Sequence, residues 1–180
     1  MKVRDSGMPE EEYWESLFDV PLILSRLQIE RFHDVAELGC GYRTFTVAAA
    51  KRIRGKLYAF DIDSAMLVRT QERAFGLRVE CRNRDVIEHG FGVTVDASLL
   101  FNILHGDDPV GLLRQAAAAS PVVLVVHWRH GDTPRGPSLD IRPRPEQIAA
   151  WAAAAGLDAG EPIDLPPWHF GIELRRRSHQ

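Results

Sequence analysis

Apolar and polar positions along this 180-residue chain follow two rhythms that take turns. Short apolar runs bounded by glycine, proline or acids predict strands over 33–38, 56–60, 77–81, 95–103 and 121–128. The last of these has Val122-Val123-Leu124-Val125-Val126 at its centre, as expected of a strand covered on both faces. Between the strands, apolar residues recur every three or four positions and predict helices over 44–53, 64–74, 109–119 and 145–155. Pro109 suits a first helical turn, with Asp107 or Asp108 as its cap. Ser64 caps the helix after Asp63, and Gly156 stops the helix before it. Ahead of all this, 10–27 carries Tyr13, Trp14, Leu17, Phe18 and Leu22 at helical spacing, with a break or kink at Pro21, behind a loose tail over 1–9. Two short strands, 162–165 and 169–175, finish the chain around Pro166-Pro167.

Alternating strands and helices predict an α/β chain with a mainly parallel sheet between two helical layers. The turn at Pro166-Pro167 is too short for a parallel crossover, so the last strand must run antiparallel to its neighbour. Such a strand starts where the parallel strands end, which predicts Trp168 and His169 at the rim where ligands bind. Residues 1–30 form an N-terminal helical segment, and 31–180 one domain.

Composition narrows the classes. With 45% hydrophobic residues the chain can bury one sizeable core and has little room for a second. A net charge of −3 gives no footprint for nucleic acid, and Arg175-Arg176-Arg177 reads as a solvated end. Cys40 and Cys81 make no zinc spacing and read as small buried groups. No apolar run is long enough to cross a membrane and nothing resembles a leader, so a cytoplasmic monomer or homodimer is expected.

The chemistry concentrates in Val35-Ala36-Glu37-Leu38-Gly39-Cys40-Gly41-Tyr42-Arg43-Thr44, answered by Tyr58-Ala59-Phe60-Asp61. A strand, a glycine turn, a helix start and a second strand ending in an acid build a nucleoside pocket at the strand ends. Asp61 can accept from two vicinal ribose hydroxyls. Glu37 would repel a pyrophosphate and attract an ammonium group. S-adenosylmethionine carries an ammonium and a sulfonium and no phosphate. The pattern resembles the class I S-adenosylmethionine-dependent methyltransferases, in the small-molecule (type 11/25-like) branch with an acid-x-Gly-x-Gly-x-Gly motif. The resemblance is good over 34–126. It implies a Rossmann-like three-layer sandwich whose seven strands lie in the order 3-2-1-4-5-7-6, with S-adenosylmethionine as cofactor. It further implies Glu37, Gly39, Cys40 and Gly41 at the methionine end, Asp61 on the ribose, Ile62 along the adenine and Asp85 at its amino group, with Val86 and Phe101 completing the contact. The segment 1–30 would be a lid. Arg43 departs from the motif, where a third glycine is usual; it either serves an anionic substrate or is a surface residue.

Beyond the cofactor, the ends of the fourth, fifth and last strands bring Asn102, His105, His127, Trp128, Arg129, His130, Trp168 and His169 to one rim. Methyl transfer needs an aligned nucleophile and a base, a role suited to histidine; His105 and His169 are the candidates, with His127 third. A three-histidine metal site from His105, His127 or His130, and His169 is the alternative reading, and no metal is expected. Arg135 and Arg142 in the proline-stiffened loop 131–145, with Arg129, either clamp an anionic acceptor or pair with nearby acids. Trp14, Trp128 and Trp168 would wall an apolar pocket, with Trp151 as core or support. The reading is methyl transfer to a small-molecule acceptor with an anionic group. Its rivals are a non-catalytic nucleoside-binding domain and a dinucleotide-dependent oxidoreductase.

Overall fold

A computed structural model describes residues 10–178, and the tail expected over 1–9 lies outside them. The chain opens with α1 (Glu11–Ser16) and α2 (Val20–Arg26). The Asp19 carboxylate accepts the Leu22 N–H at the start of α2, and Pro21 occupies its first turn, where a missing N–H costs nothing. The break therefore falls at 17–19, ahead of Pro21, because Leu17 and Phe18 leave the helix to enter the core.

The alternating part runs β1 (Val35–Leu38), α3 (Thr46–Ala50), β2 (Leu57–Asp61), α4 (Ser64–Arg73), β3 (Val79–Asn83), α5 (Val86–His89), β4 (Ala97–Phe101), α6 (Pro109–Ala119), β5 (Val122–Trp128) and α7 (Pro145–Ala154). Three strands follow: β6 (Leu157–Ala159), β7 (Ile163–Leu165) and β8 (His169–Arg176). Asp63 caps α4 in place of the expected Ser64, and Asp108 caps α6. The helix expected over 44–53 shrinks to α3, because Gly41 and Arg43 both hold left-handed backbone just before it. The α5 turn escaped notice, being only one turn long and carrying its N-cap in Asp85.

Strands β3, β2, β1, β4 and β5 are parallel in that order, and β8 lies antiparallel beside β5. This is the expected Rossmann-like order, with one correction: the sheet has eight strands, not seven. Both β6 and β7 pair with β8 on its outer side, so the sixth place is one edge strand broken in two. Residues 160–162 there oppose only two residues of β8, a bulge that ends at Pro162, which has no N–H to pair. An edge broken in this way offers a poor template to another chain.

The central strands β1, β2, β4 and β5 feed two apolar layers by alternation. One face of the sheet packs Leu24, Phe45, Leu99 and Trp128 against α2 and α3. The other packs Phe60, Leu100, Leu113 and Ile148 against α6 and α7. No helix among the described residues is long and apolar enough to cross a membrane.

Candidate active site

The site begins where β1 stops. Gly39 has φ +70°, left-handed backbone that strains any other residue, and a Cβ there would also press on Ile103 Cδ1 at 2.8 Å. The turn is tied to β2 as the Gly39 N–H donates to the Phe60 carbonyl at 2.8 Å. The Gly41 N–H donates to Asp61 Oδ2 at 3.1 Å and the Asp63 N–H to Oδ1 at 2.9 Å. Oδ2 also accepts weakly from the Cys40 thiol at 3.8 Å, while Oδ1 keeps a second lone-pair direction for a ligand.

Glu37 is buried at 3% exposure, and its Oε2 has no hydrogen-bond partner among the described residues. Burial pushes its carboxyl up to about 7; the Thr46 hydroxyl partly offsets this, and the Asp61 charge adds to it. A buried carboxylate oxygen with no partner beside an open cavity is suited to an ammonium ligand. Burial and the Glu37 charge raise the Cys40 thiol, which leaves it protonated and unreactive.

A cavity of about 800 Å³ crosses the carboxyl ends of β2, β1, β4 and β5. Glu37, Gly39, Cys40, Gly41 and Asp61 line its first part, with Ile62, Met66 and Ile87 beside the acid. Phe101, Asn102 and His105 follow at the end of β4, and Trp14, Trp128 and Arg135 line the last part. All of these except Met66 and Ile87 are sequence-predicted residues that the fold brings together. Met66, Ile87, Phe45 and Ile103 also line the cavity and were missed. For Ile87 the signal was present in the Asp85 cap, which begins a helix and turns the second apolar residue toward the site.

The other predicted residues stand elsewhere. Neither Asp85 nor Val86 lines the cavity: the Asp85 carboxylate accepts the N–H groups of Ile87 and Glu88, and Val86 lies in the core. His169 is a correction. It is fully buried, stacked on Phe18 at 4.5 Å and against Trp128 at 4.2 Å, and burial drives its pKa down to about 3. An enclosed neutral ring off the cavity cannot take a proton from an acceptor. Trp168 is half-buried against the same cluster and does not reach the cavity.

The loop arginines also divide. Arg142, expected to hold an anion, is 6% exposed, and its guanidinium donates to the carbonyls of Arg129, Gly131, Arg135 and Pro137 and to Thr133 Oγ1. It closes the loop on itself and has no donor to spare for a ligand. Gly136 completes that closure, since a Cβ there would meet Trp128 at 2.9 Å and Arg142 at 3.0 Å. Arg129 donates to the His169 carbonyl and pairs with Asp164. Only Arg135 reaches the cavity, with its guanidinium 5.6 Å from the Tyr13 ring centroid.

Arg43 serves neither expected role. It is 7% exposed, has φ +60° and pairs with Glu11 of α1, with Arg73 3.9 Å from the same carboxylate. The residue in the usual glycine position thus ties the glycine loop to the first helix. No three His, Cys, Asp or Glu side chains gather for a metal among the described residues.

Residues 35–120 match the family model described as "Methyltransferase domain". No curated protein matches the chain in sequence. Among solved structures, a SAM-dependent methyltransferase from Aquifex aeolicus superposes with a TM-score of 0.76 at 20% identity, over 88% of this chain and 89% of that one. An O-methyltransferase from neocarzinostatin biosynthesis, in complex with S-adenosyl-L-homocysteine and 1,4-dihydroxy-2-naphthoic acid, gives 0.79 at 19% identity. That match covers 93% of this chain but 56% of the other, so the chain spans little more than half of that enzyme. The magnesium protoporphyrin IX methyltransferase of Synechocystis, with S-adenosyl-L-homocysteine bound, gives 0.69 at 13% identity over 93% and 83%. Over residues 35–120 the chain is thus similar to the methyltransferase-domain family, and its strand order and these likenesses give it the fold of the S-adenosylmethionine-dependent methyltransferases.

Proposed function

We propose that this protein transfers a methyl group from S-adenosylmethionine to a small planar acceptor bearing an anionic group. One observation carries the reading: a single cavity joins the buried Glu37 carboxylate and Asp61 to an aromatic wall, His105 and Arg135. Glu37 would hold the ammonium of the methionine moiety and Asp61 the ribose hydroxyls, while Ile62, Met66 and Ile87 flank the base. When bound, S-adenosylmethionine supplies a methyl carbon on a sulfonium; the C–S pair stays with sulfur as the acceptor lone pair forms the new bond to carbon.

The chain's own residues provide the rest. Trp14, Phe45, Phe101 and Trp128 present flat apolar surface to a planar acceptor and keep water from it. His105 takes the proton that the acceptor loses. Arg135 offers the acceptor a cation at the outer end, on a loop that Arg142 holds in shape and that therefore loses little freedom on binding. The naphthoic acid held by the neocarzinostatin relative is a planar molecule with a carboxylate, and it makes a suitable first probe.

The test is calorimetry with S-adenosylhomocysteine, followed by incubation of the protein with S-adenosylmethionine and 1,4-dihydroxy-2-naphthoic acid or similar aromatic acids. Saturable binding and a methylated aromatic product are expected. Arg135→Ala should weaken acceptor binding by about tenfold, the scale of one charge-assisted bond, without changing cofactor affinity. An absence of S-adenosylhomocysteine binding would overturn the reading.

A further inference from the structure

The two edges of the sheet are built differently. Beside β8 the edge is broken between β6 and β7, whereas β3 runs from Val79 to Asn83 without proline and pairs only with β2 among the described residues. The Arg78 carbonyl accepts the Leu57 N–H, so at a period of two Glu80 and Arg82 also turn their backbone groups to β2. Val79, Cys81 and Asn83 turn theirs away from the sheet. Of these groups only the Val79 N–H has a backbone partner among the described residues, the Leu77 carbonyl. The helix over this edge adds apolar surface on the same side. In α4, Leu67 and Thr70 face the core, and Met66 and Arg73 lie on the flank toward the cavity and Glu11. At 100° per residue Val68 falls on the opposite flank, beside the β3 edge. Phe75 follows in the turn that continues α4, its N–H on the Glu72 carbonyl. Val68 is 58% exposed and Phe75 91%.

We infer that this surface binds a second copy of the chain, the β3 edges of the two pairing antiparallel about a two-fold axis at Cys81. The register follows from the charges. Glu80 and Arg82 stand one on each side of Cys81 and point to one face, where Glu80 already pairs with Lys56 and Arg82 of its own chain. A copy running the opposite way sets its Arg82 directly across from Glu80 and its Glu80 across from Arg82, so the edge is complementary to itself. Arg84, which would face Arg78 of the second copy, turns its guanidinium to the carbonyls of His89 and Gly90. In this register the two Cys81 residues exchange a pair of hydrogen bonds, and each Asn83 N–H meets the Val79 carbonyl of the other copy. On the other face, Leu77, Val79 and Cys81 pack toward the layer that holds Leu67 of α4. Because α4 packs over both β2 and β3, and strands lie about 4.8 Å apart, two such helices would stand about 10 Å from each other, an ordinary packing distance. Val68 and Phe75 of both copies then fill the seam between them and leave the solvent.

The test is sedimentation velocity of the full chain, which should show a dimer with a dissociation constant of about 1–10 μM. Phe75→Glu, at a side chain with almost no contacts of its own to lose, should weaken association about thirtyfold. Glu80→Arg should weaken it about tenfold by setting like charges face to face at two places. Adding Arg82→Glu reverses each pair instead of breaking it and should restore the affinity to within about threefold, a recovery that only this register gives. In the wild-type chain the Cys81 and Asn83 amides should exchange with deuterium about tenfold more slowly at about 100 μM than at about 0.1 μM. A wild-type chain that stays monomeric at about 100 μM overturns the inference, and that result needs no variant to fold. So does a dimer that neither Phe75→Glu nor Glu80→Arg weakens, which would put the interface on another face. A double charge reversal that fails to recover what Glu80→Arg lost overturns the pairing about Cys81.

Discussion

At Glu37 a single carboxyl couples ligand binding to pH. Enclosed at 3% exposure and pushed up to about 7, it is largely protonated in the free protein below neutrality. An ammonium partner stabilises only the ionised form, so the bound carboxyl titrates lower than the free one. Below pH 7 binding must then expel a proton. The affinity for S-adenosylhomocysteine should be flat above pH 7 and fall by up to about tenfold for each unit below it. Glu37→Gln should remove that slope and bind more weakly at pH 8. Calorimetry across pH 5.5–8.5 checks both, and a flat wild-type profile would show that no ammonium meets this group. The place of such a residue in the cavity was legible in the sequence because it follows from neighbours in the chain: Glu37 stands two before the first glycine of its loop. Arg142 and His169 were not. The partners of Arg142 are carbonyls gathered only once the loop has closed, and His169 is covered by Phe18, from the far end of the chain.

Among the elements, α1 bears most directly on access to the cavity. It contributes no buried residue, yet Trp14 lines the cavity from it. Three contacts hold it there: Glu11 to Arg43, Tyr13 under Arg135, and Trp14 against Phe18 and Trp128. Arg43 accepts left-handed backbone to make the first of these, where glycine would sit at no cost. Glu11→Gln should therefore loosen α1. The Arg43–Glu11 pair is partly buried and worth about 1 kcal/mol, so S-adenosylhomocysteine should leave about fivefold faster with little change in the folded core. Stopped-flow release measures this, and an unchanged off-rate would mean that α1 does not gate the cavity. The strands and longer helices were readable because period and caps are local: Pro109 and Asp108 mark α6 at its first turn. The single turn of α5 and the broken edge of β6 and β7 were not, since each is defined by what it packs or pairs against.

For the whole molecule, three buried titratable groups set opposing demands on stability. His127 and His169 are each held near pKa 3, against an ordinary value of 6.5, mainly by burial. Between pH 3 and 6.5 the unfolded chain binds protons that these rings refuse, so their contribution to stability is full above 6.5 and is lost as pH falls. Glu37 acts in reverse. Its folded pKa of about 7 exceeds the ordinary 4.5, so the folded protein holds a proton that the unfolded chain has released, and stability is lost as pH rises from 4.5 to 7. Over pH 4.5–6.5 two histidines oppose one carboxyl, which leaves a net gain of about 1.4 kcal/mol per unit of rising pH. Above 6.5 only the Glu37 loss remains. These groups place the maximum stability of the free protein near pH 6.5, with a shallow decline to about 7. A saturating ammonium-bearing ligand should erase that decline, because it takes Glu37 as the anion. Replacing His169 by Phe, which fits between Phe18 and Trp128, should about halve the number of protons opposing Glu37 and bring the acid-side slope close to zero. Urea unfolding at pH 5.0, 6.5 and 7.5, with and without S-adenosylhomocysteine, reads all three effects. An acid-side slope that is unaltered in His169→Phe would mean that this ring is not the buried neutral group described here.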